Sequence, residues 1–170
     1  MNQQCKWVLT VRCTFKEKWE KSGILPVLHP PRKKFGFMLW GCITFNGVVT
    51  LAFVDGNINA SKYEYILENS LWPVIARHFP QNNYIFQDNN APVHGARTVA
   101  EYKLKNKIKT LTWPAQSPDL NIIENVWQRL KRELKNNANN SVAEVKHAIR
   151  GIWENLPVNY IISLYSTIPR

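Results

Sequence analysis

Two apolar runs flank an Asn-Gly pair early in the chain. Residues 38–44 (MLWGCIT) and 48–54 (VVTLAFV) are rich in β-formers, and Asn46-Gly47 lies between them. That arrangement predicts a β-hairpin closed by Asp55-Gly56-Asn57. A helix is expected from Ser61, as its cap, to about Phe79, with Tyr65, Leu67, Leu71, Trp72 and Ile75 as core candidates. Pro73 should kink it and Pro80 should end it. Residues 84–88 (YIFQD) read as a short buried strand that finishes on an acid, 91–105 as a helix, and 108–113 (IKTLTW) as an alternating strand. After a turn at 114–118, Leu120, Ile123, Trp127, Leu130 and Leu134 recur at helical spacing and predict an amphipathic helix over 119–136. Ser141 should cap another helix to about Leu156, and the tail 158–170 has room for one short helix.

The order of these elements implies a mixed sheet covered by helices, an α/β fold. Residues 1–35 differ in character. Residues 7–15 suit a strand, whereas 16–21 and the proline- and lysine-bearing stretch 26–34 read as loop or linker. The expected division is therefore a remnant N-terminal segment or linker at 1–35, one domain at 36–157 and a tail at 158–170.

Composition sharpens this outline. A chain of 170 residues with 45% hydrophobic residues and seven Trp can bury a sizeable core. Its net charge of +10 suits a partner with a phosphate backbone, although charge alone leaves a basic surface without such a partner about equally open. Cys5, Cys13 and Cys42 lack C-x-x-C spacing, which argues against a disulfide scaffold or a zinc site and suits a reducing compartment. No secretory apolar region opens the chain and no long apolar run crosses it, so no membrane association is expected. Glycine-rich phosphate loops and the H-E-x-x-H and G-x-S-x-G motifs are absent.

Two acids stand out. Asp88 ends an apolar strand, where side chains leave the core and face a crevice. Glu124 lies 36 positions later, at the flank of the amphipathic helix's apolar stripe. Brought together, they would form a hard oxygen site suited to Mg²⁺ or Mn²⁺. Spacing alone also allows plainer roles: Asp88 as a turn residue, and Glu124 as part of a capping box with Asn121.

The strings FQDNNAPVH (86–94), TWPAQSPDLNIIENVWQRLKREL (112–134) and GFMLWGCITFNG (36–47), with VDG at 54–56 and KYEYIL at 62–67, closely resemble signature segments of Tc/mariner-type transposases. The resemblance covers about 35–156. It implies a ribonuclease H-like fold and a catalytic domain with an Asp-Asp-Glu triad, in which Asp88 matches the second acid and Glu124 the third, as catalytic residues and metal ligands. It also implies Mg²⁺ or Mn²⁺ as cofactor, transposon-end double-stranded DNA as partner and a nuclear setting, and leaves a homodimer open. The activity implied is cut-and-paste strand cleavage and transfer by two-metal phosphoryl transfer. Asp119 in SPDLN matches no triad member.

One departure is plain. The family's first acid belongs on the first sheet strand, about forty residues before Trp40-Gly41, and no acid precedes Glu17. The first ligand is therefore expected to be missing, with the first strand lacking or degraded. Two readings follow: an enzyme fragment whose ancestral DNA processing is inactive here, or a non-catalytic domain, derived from a transposase, that binds nucleic acid or protein. His94 and Asn89 are supporting candidates beside Asp88. Lys103, Lys105, Lys107, Lys109, Arg129, Lys131, Arg132 and Lys135 are candidates for DNA backbone contact, with a solvated face as the plainer reading.

Overall fold

The computed structural model describes residues 6–16, 36–88, 91–111, 121–135 and 141–167. Its centre is a sheet of four strands: β1 (Lys6–Lys16), β2 (Gly36–Thr44), β3 (Gly47–Val54) and β4 (Tyr84–Gln87). Their order across the sheet is β3-β2-β1-β4. The hairpin β2–β3 forms as expected. It turns at Phe45-Asn46, and Gly47 adopts φ 123°, a conformation that favours glycine. β1 runs antiparallel to β2 from Val8 to Lys16 and parallel to β4, with Lys6 opposite Tyr84 and Leu9 opposite Gln87. Beyond β4, the predicted strand 108–113 is reduced to a parallel bridge. Phe86 N donates to Lys109 O and Leu111 N to Phe86 O, both at 2.7 Å, and Trp113 lies outside the described residues.

The sheet also corrects an expectation. The place of the first strand is filled: β1 lies between β2 and β4 with its backbone paired on both sides. Alternation over 7–15 marked it as a strand, but its pairing with residues 36–44 and 84–87 is non-local and leaves no trace in a local pattern. What the strand lacks is an acid, since KWVLTVRCTFK holds no Asp or Glu. The strand is therefore present in its backbone, with no carboxylate in its sequence.

Helices cover both faces. α1 (Ala60–Ile66) leads through a π-helical segment, Leu67–Leu71, into α2 (Trp72–His78). The π segment ends where Pro73 enters the first turn of α2, so the kink expected there takes the form of a local change in winding. Asn59, not Ser61, caps α1: its side chain accepts from Lys62 N at 2.9 Å. Leu67, Leu71 and Ile75 are buried as expected, but Tyr65 is 69% exposed and Trp72 is largely outward. The inward stripe runs instead through Tyr63, Ile66 and Val74.

A 3₁₀ turn, Pro92–Gly95, precedes α3 (Arg97–Lys105), splitting the single helix expected over 91–105. α1, α2 and α3 pack with Met38, Trp40, Cys42 and Phe86 on one face. On the other, Leu39 and Ile43 meet α4 (Ile123–Lys135), α5 (Val142–Glu154) and α6 (Val158–Tyr165). Ser141 caps α5 as predicted, accepting from Glu144 N at 3.1 Å. Trp40 and Trp127 are core residues. No helix among the described residues is long and apolar enough to cross a membrane.

Candidate active site

β4 ends at Gln87 and delivers Asp88 to the rim of the sheet with only 3% of its surface exposed. A carboxylate buried so deeply requires a counter-charge or several donors. Lys103 provides one: its Nζ lies 2.5 Å from Asp88 Oδ2 and donates to His94 O at 3.3 Å. Lys103 projects from the inward face of α3, one turn after buried Val99. His94, in the 3₁₀ turn, stacks on the Tyr63 ring at 3.9 Å with planes 16° apart, and its Nδ1 is 3.9 Å from Asp88 Oδ2. Asp88, His94 and Lys103 thus form one buried cluster. Asn89 lies outside the described residues.

Glu124 occupies the first turn of α4, half-buried beside the core residues Ile123 and Val126. Burial raises its carboxyl above the ordinary range, and the positive charge of Lys131 partly offsets this. The capping-box alternative gains no support from the Asn121 side chain. Glu124 N donates to the main-chain oxygen of Asn121 at 3.0 Å, and among the described residues the buried Asn121 Oδ1 accepts no hydrogen bond. β1 adjoins the elements that carry both acids. Asp88 follows the strand paired to its edge, and α4, which carries Glu124, packs over it. β1 is therefore in contact with the strand that leads to Asp88 and with the helix that carries Glu124.

Residues 11–146 match the family described as DDE superfamily endonuclease. The transposase of the transposable element Tcb1, from Caenorhabditis briggsae, is 35% identical over 156 residues, which cover 88% of this chain and 55% of that protein. The chain belongs to the DDE superfamily, in its Tc/mariner branch. It spans about half the length of the curated relatives it matches. In three dimensions it resembles the Mos1 transposase paired-end complex with left transposon end (TM-score 0.79, 20% identity, 96% of this chain and 52% of that one). The Mos1 catalytic domain solved with raltegravir and magnesium is similar as well (TM-score 0.75, 20% identity, 96% of this chain and 78% of that one). These likenesses establish the ribonuclease H-like fold, which the β3-β2-β1-β4 order and the parallel bridge beyond β4 display directly.

The described residues of this DDE domain do not by themselves fit a resident pair of divalent ions. Among the described residues no group of three or more His, Cys, Asp or Glu side chains could hold a metal ion. β1 offers no carboxylate, and an ammonium already sits on Asp88.

Lys103 is also a correction. The sequence places it among lysines of a solvated face, whereas the structure buries it against the acid. α3 runs through Lys105, so position 103 turns inward with Val99. Lys105, Lys107, Lys109, Arg132 and Lys135 are exposed and Lys131 is half-buried. Arg129 is engaged within the fold, with its guanidinium 4.5 Å from the Tyr160 ring centre and its Nε 2.7 Å from Glu133 Oε1.

Proposed function

We propose that this 170-residue chain is a transposase-derived domain that binds DNA and does not cut or join it. The observation that carries this reading is the composition of β1. The strand beside Asp88 and beneath α4 holds no carboxylate to complete the triad. Two acids give a divalent ion less negative charge and fewer oxygens than three, and water in the vacant position restores no charge. The partner we assign is double-stranded DNA, met through phosphates by the exposed basic residues. The setting we assign is the nucleus, in keeping with relatives from nematode transposable elements.

A nicking and strand-transfer assay on duplex DNA with Mg²⁺ and with Mn²⁺ tests the catalytic half of the proposal. The expected result is no product above buffer. Cleavage that disappears in Asp88→Ala or Glu124→Ala would overturn it, because it would mean that a substitute ligand completes the site.

A further inference from the structure

We infer that Lys103 is an internal cation that takes the place of a divalent metal ion at Asp88, so that this domain holds its acidic site together without metal. The inference rests on the incomplete acid set proposed above and adds what compensates the acid that remains. Asp88 is buried, and a buried carboxylate left without positive charge is strongly unfavourable. In a metal-dependent site the ion meets that need. Here the Lys103 ammonium sits 2.5 Å from Oδ2 and donates to the His94 carbonyl oxygen. It also stands 5.7 Å from the centre of the Phe86 ring and 5.9 Å from that of Tyr63. Carboxylate, carbonyl and two aromatic faces are all groups that favour a cation. The ammonium is thus enclosed by groups from β4, the 3₁₀ turn and α1. Only 11% of the lysine side chain is exposed, so it is held in place rather than lying across a surface.

Placement in the helix supports this. Position 103 lies one turn after Val99, facing the same core, where a lysine would be costly without a partner of opposite charge. The location of Asp88 explains why it is tolerated. A divalent ion could reach Oδ2 only by displacing the ammonium or by approaching within repulsive distance of it.

Thermal unfolding of the full 170-residue chain in EDTA, Mg²⁺ and Mn²⁺, with bound Mn²⁺ followed by electron paramagnetic resonance, tests the inference. Wild type should show the same Tm in all three and no tightly bound Mn²⁺. Lys103→Met keeps most of the aliphatic volume and removes the charge. It should lower the Tm in EDTA by at least about 3 °C and recover part of that loss in Mn²⁺. The double variant Asp88→Asn with Lys103→Met removes both charges and should be more stable than Lys103→Met alone, with no response to metal. If Lys103→Met does not fold, a folded double variant still supports the inference. A Lys103→Met protein as stable as wild type overturns it, as does a double variant no more stable than the single one, or wild type that gains Tm on binding Mn²⁺. DNA cleavage by wild type would sink the proposed function independently of these results.

Discussion

The backbone of β2 passes directly beneath two stacked indole rings at Gly41. Trp127 and Trp153 lie with ring centres 5.3 Å apart, and a Cβ at position 41 would come within 2.7 Å of Trp127 Cη2 and 2.8 Å of Trp153 Cη2. Neither ring has room to withdraw, because both indoles are buried. Gly41→Ala is therefore expected to cost about 1–3 kcal/mol by overpacking, measured as a lower denaturation midpoint at unchanged m. Adding Trp127→Phe shortens the nearest ring, so the double variant should lose less than the sum of the two single losses. Additive losses would show that the contact is not the cause. The acids follow the same logic of surroundings. Asp88 is defined by what faces it, and Glu124, half-buried beside Ile123 and Val126, carries a raised carboxyl because it is desolvated.

At the level of elements, β1 decides the reading of the whole site. Residues 7–9 are flanked by β2 or β4 through backbone pairing, so their amides should resist hydrogen exchange about as well as the centre of β2. Exchange at the rate of an open loop would mean that β1 does not belong to the sheet, and the argument from its missing acid would fall with it. Much of this level was legible in the sequence. The hairpin, β4 and its terminal Asp88, α5 with its Ser141 cap and the inward stripe of α4 all follow from local period and turn chemistry. Pairings between distant segments were not legible, and these place β1 at the centre of the sheet. The Asp88–Lys103 pair was not legible because a helix over 91–105 does not by itself show which of its faces packs against the end of β4. The cap of α1 was missed by two residues, since Asn59 and Ser61 are both good caps and only the backbone distinguishes them.

For the molecule as a whole, charge sets the expected behaviour with DNA. A net charge of +10, with Lys105, Lys107, Lys109 and Arg132 exposed, favours association that depends on phosphate and not on base sequence. If those four side chains each neutralise a phosphate, log K should fall with log salt at a slope of about −3 to −4, and charge-reversing any one should flatten it by about one unit. Filter binding or anisotropy on two unrelated duplexes checks both the slope and the expected indifference to sequence. Binding that holds up in salt and prefers one duplex would point to another surface.

The two faces of the sheet are also separated along the chain. The layer formed by α1, α2 and α3 is complete by Ile108, whereas the opposite layer is built from residues 122–161 against Leu39 and Ile43. On a ribosome adding roughly 5–20 residues per second, the second face of the sheet would wait several seconds for its cover. Asp88 and Lys103 both belong to the segment made first, whereas Glu124 belongs to the helix layer made after it.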